Sequence, residues 1–286
     1  MSGGLASETD SPDEAPSDES RPFDDAPAFD TSVAHSARVY DYWLGGKDNF
    51  EVDREAAEQA IAVYPAILRG VRAQRAFLAR AVRYLAEEAG IRQFLDIGTG
   101  IPTANNTHEV AQEATADARV VYVDNDAMVL AHARALLTSV PEDVTTYLDA
   151  DLREPDEILA RAARLLDFGQ PVAVLLIGIL QLIPDVDDPY GIVARLVDAV
   201  APGSWLAVYH PASDIDQDRV GEAVRRVNAR TAGSTTLRSH AEITRFLDGL
   251  RLLEPGLVQV HQWQPGSVIP DVGEPIAAYA GLARKP

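Results

Sequence analysis

Apolar positions along the chain change period near residue 90. From Thr31 to Gly90 they recur at helical spacing. Ile67, Leu68, Val71, Leu78, Val82 and Leu85 fall three, four and seven apart, one face of an amphipathic helix. Pro65 marks a break or a first-turn position before that helix, and Gly90 is placed to cap its end. Beyond Gly90, short β-rich runs alternate with helical stretches. Strands are predicted at 93–97, 120–123, 145–148, 172–177 and 205–209, and helices at 106–115, 127–137, 156–166, 190–200 and 217–230. Crossovers of that length suit parallel pairing. The run Val172-Ala-Val-Leu-Leu-Ile177 is apolar on both faces, as a central parallel strand is. Ser239-His-Ala-Glu242 reads as a capping box opening one more helix, through Leu247. The last two apolar runs, 257–263 and 276–282, have no helix between them and are predicted to pair as an antiparallel hairpin at the sheet edge. The pattern is that of an α/β chain with a seven-stranded, mostly parallel sheet and a helical N-terminal extension.

Composition adds boundaries and exclusions. Residues 1–30 hold nine acids and one base, Arg21. Such a segment buries too little apolar surface to offset its ordering entropy, so it is expected to be a disordered acidic tail. The predicted division is therefore 1–30 tail, 31–90 helical cap or lid, and 91–286 α/β ligand-binding domain. The 286 residues include no Cys and carry a net charge of -19. That excludes a disulfide scaffold, Cys-ligated metal and a Cys nucleophile, and it argues against a nucleic-acid partner. No metal site is read from the spacing of the other ligand types. No run of about 18 apolar residues is present to span a bilayer, and a cytoplasmic protein is expected. Lys occurs only at Lys47 and Lys285, so nearly all positive charge is Arg. This suits a GC-rich genome such as that of an actinobacterium.

Candidate chemistry sits at the predicted strand ends. The first strand runs into Asp96-Ile-Gly98-Thr99-Gly100. Glycines there let the backbone turn tightly and approach a ligand, and open α/β sheets bind ligands outside their strand ends. The dinucleotide fingerprint needs a third Gly where this chain has Thr103, preceded by Pro102. Asp96 also suits a cation better than a phosphate. The second strand ends at Asp124, followed by Asn125 and Asp126, and an acid at that place is positioned for ribose hydroxyls. Asp126 reads equally as the N-cap of the next helix. The third strand leads to Asp151-Leu152, where a carboxylate can accept from an exocyclic amine. A ligand with a cationic end, a ribose and an adenine but no phosphates satisfies the series, and S-adenosylmethionine is such a ligand.

With those residues in place, the chain resembles a class I S-adenosylmethionine-dependent methyltransferase, with a Rossmann-like fold. More narrowly it is similar to the actinobacterial S-adenosyl methyltransferase family. The narrower likeness rests on Ala37-Arg-Val-Tyr-Asp-Tyr-Trp-Leu-Gly-Gly-Lys-Asp-Asn49, on Gly100-Ile-Pro-Thr103 with Asn106 and His108, and on the stretch from Phe246 to Val258. The resemblance implies the fold and the cofactor, with S-adenosylhomocysteine as product. It names no methyl acceptor.

In that superfamily, residues ahead of the first strand often fold over the cofactor. Tyr40, Tyr42 and Trp43 beside Gly45-Gly46 suit a lid that excludes water from a sulfonium, and Lys47 and Asn49 are further cofactor candidates. Equally, the segment reads as a helix packed on the core and capped by Gly45. The loop after the fourth strand, which includes Gly178, forms the expected cleft floor. It has Gln181 where small-molecule methyltransferases often place a His, and it lacks the Asn/Asp-Pro-Pro-aromatic motif. Tyr209, His210 and His35 are the other candidates for a base. The expected activity is O- or N-methylation of a small molecule. The alternatives are a non-catalytic S-adenosylmethionine-binding partner protein, a nicotinamide-dependent oxidoreductase and an aminopropyl transferase. A homodimer through the hairpin edge is the open oligomeric reading.

Overall fold

The computed structural model describes residues 1, 30–103, 105–137, 144–265 and 274–286. The expected acidic tail therefore lies, but for its two ends, outside the described residues.

Three helices come first: α1 (Ser36–Leu44), α2 (Glu51–Val63) and α3 (Ile67–Glu87). Tyr64-Pro65-Ala66 separates the last two, as the Pro predicts. The alternating part follows with β1 (Gln93–Ile97), α4 (Thr107–Ala114), β2 (Arg119–Asp124), α5 (Ala127–Leu137), β3 (Thr145–Asp149), α6 (Pro155–Ala162), β4 (Ala173–Ile177), α7 (Pro189–Ala199), β5 (Trp205–Pro211) and α8 (Gln217–Asn228). The short helix α9 (His240–Thr244) opens on the predicted box, with Ser239 Oγ accepting from the Glu242 N–H. Strands β6 (Arg251–Leu252), β7 (Val258–Gln259) and β8 (Ala278–Arg284) complete the sheet.

The strand order is β3-β2-β1-β4-β5-β8-β6, with β7 also on β8. The first five strands pair in parallel, and β8 runs antiparallel to β5, β6 and β7. The sheet thus has eight strands where seven are predicted. The hairpin forms, but its long member β8 lies inside the edge. Of the predicted outer member 257–263 only β7 forms, and β6, ahead of that run, is an additional short strand on β8. Between them Pro255 has no N–H to donate and Gly256 turns with φ 92°.

Parallel strands buried on both faces alternate their side chains between two cores. Leu95, Val121, Val174 and Val208 pack with α6 and α7 on one side. Phe94, Tyr122, Leu175 and Tyr209 face α3 and α4 on the other. The stripe of α3 buries Val71, Phe77, Leu78, Val82 and Leu85 there, while Gln74 lies in the same buried face. Helix α2 packs on α8 through Ala60, Val220 and Ala223. This pairing leaves α1 across the carboxyl ends of the strands, its Ala37 against Ile101 and Met128.

Candidate functional site

The carboxyl ends of β1 to β4 open into a cavity of about 300 Å³, at the small end of the ~300–1,000 Å³ range for ligand sites. Its β1 wall is Gly98-Thr99-Gly100. Both glycines have left-handed backbone, φ 75° and 68°. A Cβ on Gly98 would lie 2.5 Å from Ile179 Cβ, so a glycine there lets the loops after β1 and β4 touch. A Cβ on Gly100 would meet nothing within 4 Å. The space beside that backbone is open.

Three carboxylates line the wall. Asp96 is buried, and its Oδ2 accepts from the Thr107 hydroxyl at 2.6 Å. Burial pushes its carboxyl up to about 6, against the pull of that hydrogen bond. Asp124 accepts the Gly100 N–H on Oδ2 at 2.9 Å and the Asp126 N–H on Oδ1 at 3.0 Å. Burial raises its pKa while those N–H groups hold it down. Asp151 takes the Asn125 side-chain amide at 2.9 Å and pairs with Arg153 at 3.2 Å. Leu152 and Gly178 line the cavity, and so does Gln181, whose Nε2 donates to the Gly178 carbonyl at 2.7 Å.

Tyr40 and Trp43 of α1 form part of the roof, with His35 at its edge. Tyr42 turns outward to Glu58. The segment is thus both roof and packed helix. A buried pair holds it down: Arg38 Nε donates to Asp53 Oδ2 at 2.8 Å. Asp53 also accepts the N–H of His35 and of Phe50, at 2.9 and 2.8 Å, and so ties both ends of the α1 segment to α2.

Five sequence candidates do not line the cavity. Asp126 caps α5 through the N–H groups of Met128 and Val129 and pairs with His35 Nδ1 at 2.6 Å. Burial would raise its carboxyl, but these partners more than offset that. Lys47 is exposed in the turn after α1. Asn49 donates to Asp41 at 2.8 Å and to the Gly46 carbonyl at 3.1 Å, which closes that turn. Tyr209 is buried on the α3 face of the sheet, and burial raises its pKa. His210 is fully buried. Its Nδ1–H donates to the Pro211 carbonyl at 2.8 Å and its Nε2 accepts from Arg238 at 2.9 Å. Burial pushes it down to about 3, with the neighbouring Arg238 acting the same way. It is a neutral, fully engaged imidazole behind the cleft wall.

Sequence reasoning missed Arg238 and Gln74. Buried Arg238 also donates to the carbonyls of Leu180 and Ile183, at 2.9 and 2.8 Å, and so braces the β4 loop. Nothing in its sequence neighbourhood marks it. Gln74 lines the cavity from α3, its Nε2 donating to the Ile177 carbonyl at 3.1 Å. Its signal is a polar side chain inside the apolar stripe, between Val71 and Leu78.

A family model described as S-adenosyl methyltransferase matches residues 23–286. Among solved structures, a DUF574 family protein from Streptomyces avermitilis MA-4680 is 46% identical. That match covers 90% of this chain and 99% of the other, with a TM-score of 0.84. A protein from Thermobifida fusca YX, provisionally classed as a methyltransferase, is 43% identical; the match covers 89% and 96% of the two chains, with a TM-score of 0.82. No curated protein matches the chain.

Proposed function

Because the chain belongs to the S-adenosyl methyltransferase family, whose cofactor is S-adenosylmethionine, we propose that it methylates the oxygen or nitrogen of a small molecule. The observation that carries this reading is the cavity of about 300 Å³ roofed by α1, which the acceptor must share with the cofactor and which therefore suits a small acceptor group. The net charge of -19 points the same way, away from nucleic acid.

The donor set fits the cofactor. Asp124 keeps lone-pair directions free after its two N–H bonds, and ribose hydroxyls would take them. The open space beside Gly100 admits the ligand against bare backbone. Asp151, steadied by Asn125, would face an adenine amine, and Asp96 would face a cationic amino end. When bound, S-adenosylmethionine would supply an activated methyl carbon to the acceptor's lone pair, with S-adenosylhomocysteine as the leaving group and the acceptor's proton released to solvent with the product. The chain's share is alignment and dryness. Tyr40 and Trp43 exclude water from above, and the Gly178 loop sets the floor. None of Gln181, Tyr209 and His210 is a strong proton acceptor in this setting: one is an amide, and the other two are buried away from the cavity.

Isothermal titration with S-adenosylmethionine, S-adenosylhomocysteine and NAD tests the site. The first two should bind, NAD should not, and Asp124→Ala should weaken binding by about tenfold or more, the loss of a paired charged hydrogen-bond acceptor. Methyl-labelled cofactor incubated with a cell extract should then label low-mass compounds. Label found only in protein or nucleic acid would overturn the small-molecule reading.

A further inference from the structure

Two histidine–carboxylate pairs cross the seam between the roof and α5. His35, the N-cap of α1, holds Nδ1 2.6 Å from Oδ2 of Asp126, which caps α5. At the other end of the roof segment, Asp48 in the turn after α1 has its Oδ1 3.7 Å from Nε2 of His132, further along α5. The pairs have opposite polarity: the roof supplies the base of one and the acid of the other. Between them lies a small apolar patch, Ala37 and Phe50 on Ile101, Met128 and Val129. The Arg38–Asp53 pair ties α1 to α2 and does not cross this seam. Among the described residues, no other ion pair joins the roof segment to α5.

A ring nitrogen and a carboxylate oxygen 2.6 Å apart need a proton between them. Burial would raise the Asp126 carboxyl, but His35 and the α5 N–H groups lower it overall, so that proton rests on the imidazole. A second proton makes the ring cationic, and a charged hydrogen bond is roughly twice as strong as a neutral one. His132 stands at ion-pair rather than hydrogen-bond distance, so it attracts Asp48 strongly only when charged. The charged groups facing His35 are Asp126 from α5 and Asp124 from β2, while Asp53 of α2 accepts its N–H and carries Arg38. His132 faces Asp48, with Lys47 beside it in the same turn. The seam opens on the cavity, which His35 and Ala37 line together with Asp124. We infer that the two pairs form a proton-operated latch on the cofactor: with both imidazoles charged the roof is held against α5, and with both neutral it loosens and the cofactor leaves more readily. This adds regulation to the site proposed above and rests on that reading. Histidine changes charge between about pH 5 and 8, so the latch works in the physiological range. The four residues are positioning residues, acting through α1 on Tyr40 and Trp43 of the roof.

The test is calorimetric titration of full-length protein with S-adenosylhomocysteine at about pH 6 and about pH 8. Wild type is compared with the double variant His35→Gln, His132→Gln, in which a neutral N–H donor replaces each ring. Asp96 and Asp124 also ionise as pH rises, but they are common to both proteins, so comparison at each pH cancels them. At about pH 6 the double variant should bind at least about fivefold more weakly than wild type, the worth of two partly exposed ion pairs. At about pH 8 the two should agree within about twofold, because the wild-type rings are then neutral. Equal binding at about pH 6, or the same ratio at both pH values, would overturn the inference. If the double variant fails to fold, the exposed pair decides. His132→Arg, a permanent cation opposite Asp48, should bind more tightly than His132→Gln at both pH values, and equal binding would overturn the inference. Absence of S-adenosylhomocysteine binding by the wild type would instead overturn the cofactor site on which the latch rests.

Discussion

The β1–β3 side of the cleft and its β4 side are built by different means. On the first, Gly98, Gly100, Asp124, Asn125, Asp151 and Leu152 all lie within a few residues of a strand's carboxyl end. Parallel register then brings them together: Ile97 pairs with Val123, and Asp124 with Asp149. On the second, Gln74 comes from α3, Gln181 from the β4 loop, and Val227 and Thr235 from α8 and beyond. Tertiary bonds hold that side, namely Arg238 to Leu180 and Ile183 and the Thr236 N–H to the Gln181 carbonyl at 2.7 Å. One side follows from topology and the other from side-chain bracing. A methyltransferase that keeps its cofactor while its acceptor site diverges would be expected to divide in this way.

The largest expected effect comes from the roof the two sides share. Asp53→Ala strands buried Arg38 and frees both ends of the α1 segment. Breaking such a pair costs about 3–5 kcal/mol, to be read from urea denaturation. A loss under about 1 kcal/mol, the scale of a surface pair, would mean that α1 is held mainly by its apolar contacts.

Next come two opposite responses to pH, one from each side. Asp96 has its carboxyl raised to about 6 by burial, so the folded state binds a proton that the unfolded chain has released. Its contribution to stability is present at low pH and is lost as pH rises from about 4 to 6. His210, held down to about 3 by burial, does the reverse. Its contribution is present above about 6.5 and is lost as pH falls towards 3. Between pH 4 and 6 the two nearly cancel. Asp96→Asn should therefore make stability rise with pH more steeply there, by up to about 1.4 kcal/mol per pH unit, and His210→Gln should tilt the slope the other way by a similar amount. Thermal melts across that window check the pair. Slopes that both move in one direction would contradict these assignments. Asp96→Asn should also melt higher than wild type at neutral pH while binding S-adenosylmethionine less well, a site whose charge serves the ligand at the expense of the fold.

The smallest effect is expected at Lys47. It is exposed and lies off the cavity, so Lys47→Ala should change cofactor affinity less than about twofold, within the range of an exposed charge. A tenfold loss would mean that the turn after α1 closes further on the ligand.

The same division explains what the sequence made legible. Asp96, the glycine turn and Asp124 were readable because period-two strands end where the acids begin, so residue order gives spatial order. The run 257–263 was foreseen as one strand, and of it only Val258–Gln259 pairs with β8. Strand β6 at Arg251–Leu252 was not foreseen; the turn at Pro255 and Gly256 separates it from β7 on the same partner strand. Tyr209 and His210 looked available because they end a strand. In the fold, Tyr209 faces α3, and His210 is covered and bonded to Arg238, which lies 28 residues away. Gln74 was not singled out, since a polar residue in a helix stripe carries no functional signal by itself. Only the tertiary fold carries it 103 residues along the chain to Ile177.

The most direct measurement is a crystal structure of the full-length protein with S-adenosylhomocysteine. The account predicts the ribose hydroxyls on Asp124, the adenine beside Asp151 and Leu152, and the sulfur facing Gly178 between Gln74 and Gln181. A ligand bound with its sulfur turned away from β4, or seated outside this cavity, would contradict it.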